Sequence, residues 1–161
     1  MFDLVPLLKS LRLRLLSGFE SDKKMNIEYL SHTADIRMKI EASHLEELFR
    51  AGVIGMSNIL KDGFCNQNVK FDHKWILEIT ALDSTCLLID FLSEVLSASY
   101  AEKAVFCEVD FLDFSPHHTI AEIRGKQIQF FDEEIKAVTY HEANVHKNKR
   151  DQWVTLVIFD I

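Results

Sequence analysis

The chain has 161 residues, of which 48% are apolar, so it can build one well-packed core but is too short for two comfortable domains. Its two prolines and five glycines exclude a low-complexity or disordered composition, and no run reaches the ~18 uncharged apolar residues that a membrane helix requires. The net charge of -7 disfavours a direct grip on a nucleic-acid backbone, because such binding depends on Lys and Arg.

The first 24 residues differ from the rest in charge. They carry five Lys/Arg and three Asp/Glu, and four leucines recur in them at helical spacing: Leu4, Leu8, Leu11 and Leu15. A secretory signal is disfavoured, because charges interrupt the apolar run and no small-residue cleavage site follows. Two interpretations stay open: a peripheral amphipathic helix, or a non-native extension with Met25 as the natural start. The predicted domain therefore spans residues 25–161, preceded by an extension over 1–24.

Regular elements begin after Met25. Apolar and charged residues alternate over 36–42, which predicts a half-buried strand. Ser43 and Glu46 have the spacing of a capping box, so we expect Ser43 to cap a helix that ends at 61–63. A second, unusually long alternation over 69–81 predicts a strand with a break.

The second half of the chain continues with one helix and four strands. We expect Asp83 or Ser84 to cap a helix over 84–100. Turn-forming residues separate the strands that follow, which are predicted at 104–114, 118–124, 134–146 and 152–160. This order predicts a single α+β domain: a mixed, mostly antiparallel sheet with two helices packed on one face.

Cysteines and histidines give little sign of redox or zinc chemistry. Cys65, Cys86 and Cys107 form no CxxC pair, and their odd number without a secretory signal predicts reduced, buried thiols. His141 and His146 lie five residues apart in one predicted strand, so their side chains should point to opposite faces.

Three carboxylates attract more interest. The strand over 152–160 is apolar on both faces, which predicts a place inside the sheet, and it ends in Asp160 and Ile161. A side-chain carboxylate beside the α-carboxylate of Ile161 provides half of a site for a hard cation. Taken alone, Asp35 is expected to be solvated at the start of a strand. Lys136 could simply pair with its acidic neighbours, a contribution of ~0–1 kcal/mol.

Four sequence blocks closely resemble the archease family, in its order and approximate spacing. They are His32–Ile36, the Leu-Glu-Glu-Leu-Phe segment at 45–49, Glu134–His141 and Val157–Ile161, and the resemblance covers 25–161. It implies an accessory protein, itself not an enzyme, that activates an RNA ligase of the tRNA-splicing type. Such a ligase joins 3′-phosphate or 2′,3′-cyclic phosphate ends to 5′-hydroxyl ends, and archease promotes guanylylation of the ligase histidine and multiple turnover.

The resemblance also implies a site and a setting. Asp35, Asp160 and the terminal Ile161 would bind a divalent metal, expected to be calcium, or manganese or magnesium when with the ligase. Lys136 would be a functional residue that contacts phosphate or the partner. The expected partner is the ligase protein, with tRNA or other RNA reached through it, in the cytoplasm and without a membrane.

Two alternatives belong to other functional classes. The chain could be a metal-dependent phosphoester hydrolase that uses Asp35, Asp160 and a histidine such as His32, although it has no recognisable nucleophile or base motif. It could also be a chaperone-like binding module. The hydrolase would turn over phosphoesters by itself, and the binding module would stimulate the ligase even without its acidic residues.

Overall fold

The computed structural model describes residues 25–30 and 34–161. The helices are α1 (Leu45–Leu60) and α2 (Ser84–Glu102), with a short 3₁₀ turn at Phe64–Asn66. The strands are β1 (Met25–Leu30), β2 (Asp35–Ala42), β3 (His73–Thr80), β4 (Ala104–Phe114), β5 (His118–Gln127), β6 (Ala137–Thr139), β7 (His146–Lys147) and β8 (Trp153–Asp160). The extension predicted over 1–24 lies outside the described residues. No helix in the described part combines the length and apolarity needed to cross a membrane.

The strands form two antiparallel sheets. The first has the order β1-β2-β8-β6, with β7 also paired to β8, and the second has the order β3-β5-β4. The predicted α+β class is confirmed, but the expectation of one sheet is wrong. Alternation shows which face of a strand is apolar, and it does not show which strand lies beside it.

One core joins both sheets to both helices. α1 packs against β1 and β2 of the first sheet and β4 of the second, while α2 packs against β3, β4 and β6. The largest fully buried side chains come from these elements: Phe49, Phe91, Phe106, Phe159, Met38 and Ile40. The predicted apolar faces of β2 and α1 are therefore the faces that pack inside.

The predicted cap of α1 is wrong, whereas that of α2 is right. The residue before α1 is His44, and its side chain makes no capping hydrogen bond. The Ser43 hydroxyl instead donates to Oε1 of Gln152 at 3.4 Å, which draws it toward the start of β8. Asp83 caps α2 by accepting a hydrogen bond from the Cys86 N–H at 2.8 Å.

The strand predicted over 134–146 is interrupted. It is present as β6 and β7, and between them the chain turns, with Ala143 N–H donating to Tyr140 O at 3.1 Å and Glu142 at a φ of +57°. His141 therefore lies in a turn and does not share a strand with His146. The strand predicted over 69–81 is also shorter, at His73–Thr80.

The prediction of three reduced cysteines is wrong for two of them. Cys65 and Cys107 form a disulfide, with Cα atoms 5.3 Å apart, and Cys86 remains a thiol. Cys107 lies where the register between β4 and β5 shifts, so it is an extra residue of a β-bulge. Together with Phe64 and Val105 it forms a small second cluster, separate from the main core.

Candidate metal centre at the end of the β2–β8 pair

The candidate site depends on the pairing of β2 with β8. These strands are antiparallel, so the first residue of β2 meets the last residue of β8, and Asp35 lies directly opposite Asp160. Directly opposed residues of an antiparallel pair project from the same face, with Cβ atoms about 4.5–5.5 Å apart. Two carboxylates that are 125 positions apart in sequence thus lie side by side, on the face away from the core.

β8 holds Asp160 in the interior of the first sheet. β2 pairs along one edge of β8, and β6 and β7 pair along the other, as the apolar pattern on both faces predicts. Phe159 is fully buried, while Asp160 is exposed at the end of the strand. Ile161 packs partly against the core. The acidic residue therefore projects from a rigid element and not from a frayed terminus.

The structure also brings Lys136 to this end of the β2–β8 pair. Its backbone N–H donates to the carbonyl oxygen of Asp160 at 2.7 Å, and the next residue, Ala137, pairs with Asp160 in β6. The Lys136 side chain is exposed. The structure thus brings together the three residue positions Asp35, Lys136 and Asp160, with Ile161 next in sequence.

Two tyrosines fix the segment that carries Lys136. The Tyr100 hydroxyl, on α2, accepts a hydrogen bond from Ile135 N–H and donates to Ile135 O, both at 2.7 Å. Burial raises the pKa of Tyr100, and the nearby Glu134 and Glu133 charges add to this effect. After β6, the Tyr140 hydroxyl donates to the Asp90 carboxylate on α2, which raises the pKa of Tyr140 to about 12.

These anchors could not be recognised from the sequence. Tyr100 falls near the end of a helix that is apolar around most of its circumference, so its pattern is that of a core residue. Nothing local links Tyr140 to Asp90, fifty positions earlier. The tyrosines hold both ends of β6 to α2, and they thereby set the position of Lys136.

Arg37 is a further charged neighbour of the site. Its Nε lies 3.4 Å from Oδ1 of Asp35, and its guanidinium donates to Oε2 of Glu142 at 2.9 Å. The side chains of Arg37 and Asp35 are largely buried, with exposed fractions of 25% and 21%. The sequence could have predicted this contact, because residues two apart in a strand share a face. Arg37 therefore offsets part of the negative charge that Asp35 brings.

The donor set suits a hard divalent cation in an open site. Two adjacent carboxylates supply the oxygen ligands that calcium, magnesium and manganese prefer. The main-chain oxygens of Ile161, which follows Asp160, are further candidate ligands. In the described ranges no group of three or more His, Cys, Asp and Glu side chains lies close enough to bind a metal. Side chains alone therefore do not form a closed cage here. His32 falls outside the described residues.

Comparison with known proteins places the chain in a family. The model of the archease protein family (MTH1598/TM1083) matches residues 27–161, which include all four candidate positions. The chain belongs to the archease family. Archease from Methanosarcina barkeri is 30% identical over 149 residues, which cover 88% of this chain and 99% of that protein. An archease-like protein of Caenorhabditis elegans is 28% identical, and the match covers 86% of this chain and 92% of that protein.

Solved structures agree with the archease fold. The solution structure of Methanobacterium thermoautotrophicum protein 1598 superposes with a TM-score of 0.68 at 25% identity, and covers 84% of this chain and 98% of that one. The crystal structure of a Thermotoga maritima archease, described as a possible chaperone, gives a TM-score of 0.55 at 20% identity. That match covers 89% of this chain and 100% of the other one. At that identity the second likeness concerns the fold alone.

Proposed function

We propose that this archease activates an RNA ligase of the tRNA-splicing type, with a divalent cation bound by Asp35, Asp160 and the main-chain oxygens of Ile161. In this role it is not itself the catalyst. It promotes guanylylation of the ligase histidine and repeated turnover, in the cytoplasm, and it reaches RNA through the ligase. Family membership supports the class of function, and the site geometry supports the assignment of residues.

The observation that carries the proposal is the direct pairing of Asp35 with Asp160. Two carboxylates that share one face of a sheet repel each other, and like charges placed directly opposite destabilise a strand pair. Binding of a divalent cation would remove that repulsion. A composition of two carboxylates plus main-chain oxygens leaves coordination positions open, since calcium takes ~6–8 oxygens.

The chain's own residues would position and compensate charge. Asp35 and Asp160 would hold the cation on a rigid strand pair, and Lys136, immediately before β6, would contact phosphate or a carboxylate of the ligase. When bound, the cation would neutralise negative charge on nucleotide phosphates. Nucleotidyl and phosphoryl transfer depend mainly on positioning and charge stabilisation of this kind.

The test replaces Asp160 without removing its bulk. Asp160→Asn keeps the pairing of β8 and removes the charge, so stimulation of ligase guanylylation under excess GTP should fall to the level seen without archease. The matched control is Asp151→Asn, because Asp151 lies just before β8 at its opposite end and is well exposed. The control should stimulate like the wild type, and circular dichroism should show both variants folded.

The same experiment separates the alternatives. If Asp160→Asn stimulates the ligase fully, the assigned site is wrong and a binding module that does not use its acidic residues becomes the better account. If the purified protein alone hydrolyses phosphoesters, and Asp160→Asn removes that activity, the hydrolase interpretation replaces the proposal.

A further inference from the structure

Phe130 is the most exposed aromatic side chain in the described part of the chain. Its exposed fraction is 66%, whereas its neighbour Phe131 packs against the core and makes an edge contact with Tyr100 at 5.2 Å between ring centroids. A single exposed apolar residue is common on protein surfaces and by itself indicates nothing. The surroundings of Phe130 give it significance.

The segment around Phe130 is held rigidly. Asp132 N–H donates to Leu60 O, the last residue of α1, at 2.8 Å. The Asp132 carboxylate accepts hydrogen bonds from Lys61 Nζ at 3.0 Å and from Asp62 N–H at 3.1 Å. The Lys61 ammonium lowers the pKa of Asp132, so this carboxylate stays charged at neutral pH.

The segment is also fixed on either side of Phe130. Ile128 N–H donates to Lys103 O at 2.8 Å, just after α2, and Tyr100 holds Ile135 through two hydrogen bonds. A loop with this many main-chain ties changes shape little when it binds. A preorganised aromatic side chain therefore loses little conformational entropy on association.

Lys61 orients the Phe130 ring. Its ammonium lies 4.0 Å from the ring centroid, as a cation–π contact, and also donates to Phe130 O at 3.3 Å. One face of the ring is thus covered by a cation, and the rest projects into solvent.

Phe130 is tied to the candidate site by a short stretch of main chain. The main chain reaches Lys136 in six residues, a span of at most about 20 Å, and Lys136 is bonded to Asp160. The charged side chains of residues 61–62, 130–136 and 160 are mostly acidic, with carboxylates outnumbering ammonium groups by three: Asp62, Asp132, Glu133, Glu134 and Asp160 against Lys61 and Lys136. Their net negative charge complements a basic partner surface.

We propose that Phe130 is the anchor by which this archease docks on its protein partner. The ring inserts into an apolar pocket rimmed by Lys and Arg, on the ligase of the proposed function, and this places the Asp35–Asp160 pair at the ligase active site. The inference rests on the proposed function and assigns binding to Phe130, separately from the charge of Asp160. Aromatic residues commonly supply the few contacts that dominate an interface.

The test is Phe130→Ala. Because the ring is mostly exposed, the variant should fold with an unchanged melting temperature, while its Kd for the ligase rises roughly 10- to 100-fold. In guanylylation assays the archease concentration that gives half-maximal stimulation should rise by a similar factor, and the maximum should stay the same. Ile76→Ala is the matched control, since Ile76 is similarly exposed, at 62%, on β3 of the second sheet.

The outcomes separate this inference from the function it rests on. If the wild type stimulates the ligase and Phe130→Ala binds like Ile76→Ala, the anchor is refuted and the function stands. If Phe130→Ala lowers maximal stimulation without changing Kd, the residue acts after docking and the inference is equally wrong. If the wild type neither binds nor stimulates the ligase, the proposed function fails and the anchor fails with it.

Discussion

At the scale of single residues, Arg37 sets the charge of the candidate centre. It lies 3.4 Å from Asp35 and pairs with Glu142 across the turn after β6, so one cation serves two carboxylates. A bound metal and the guanidinium would compete for the same carboxylate charge. If a metal binds as proposed, Arg37 would weaken that binding, which suits a cation that is shared with another active site.

We predict that Arg37→Met binds calcium more tightly than the wild type. A unit charge about 4 Å from a divalent ion repels it by about 2 kcal/mol in a water-like dielectric, so its removal should lower Kd by up to about thirty-fold. Titration calorimetry with calcium chloride measures the change directly.

The control for this prediction is Arg150→Met. Arg150 pairs with Glu41 at 3.1 Å, and Glu41 lies on the same strand as Arg37 but near its opposite end. The loss of Arg150 should therefore leave calcium affinity unchanged within about two-fold. Equal affinities for wild type and Arg37→Met would show that Asp35 is not a ligand.

At the scale of the elements, a histidine links the three strands of the second sheet. His118 begins β5, and its ring contacts Glu78 on β3 at 3.0 Å through Nε2 and Asp113 on β4 at 2.9 Å through Nδ1. Hydrogen bonds to Glu78, and then to Asp113, raise the pKa of His118 above its ordinary value. A charged imidazolium donates to both carboxylates at once, and a neutral ring can donate to one.

The direction of the shift fixes the pH dependence of stability. Because the pKa is raised on folding, the stabilisation is fully present below the unfolded value of about 6.5 and is lost as pH rises through the higher folded value. We expect the urea midpoint of the wild type to exceed that of His118→Gln at pH 6.0, and the difference to shrink by pH 8.5. His117→Gln serves as the control, and a gap that is equal at both pH values would contradict the prediction.

At the scale of the whole molecule, local patterns predicted elements better than their assembly. β4 occupies the predicted residues 104–114, and β8 lies inside its sheet, because its two apolar faces require cover on both sides. The meeting of Asp35 with Asp160 was expected only from family resemblance. Spacing alone favours a solvated residue at position 35, since a strand pattern contains no information about its partner strand.

The wrong predictions also concern contacts between segments that are distant in the sequence, or a turn without a recognisable signal. The division into two sheets depends on which strands pair, and sequence patterns do not show this. The interruption between β6 and β7 was missed because residues 140–145 contain neither glycine nor proline. The Cys65–Cys107 disulfide needs proximity between residues 42 apart, one in the 3₁₀ turn and one at a bulge in β4. No spacing rule for nearby cysteines includes such a pair.

That disulfide gives a prediction for the stability of the whole chain. It closes a loop that contains β3, α2 and the start of β4, so it restricts the unfolded ensemble, and its loss should cost about 2–4 kcal/mol of unfolding free energy. Urea unfolding of Cys65→Ser should show this loss, and reductant should lower the wild-type midpoint without affecting the variant. Cys86→Ser, which removes a thiol that is not in the disulfide, is the control, and reductant should still lower its urea midpoint.

The contradicting outcome is a count of three reactive thiols in urea without reductant, which would mean that no disulfide forms. The cluster of Phe64, Val105 and Cys107 would then hold the 3₁₀ turn by packing alone.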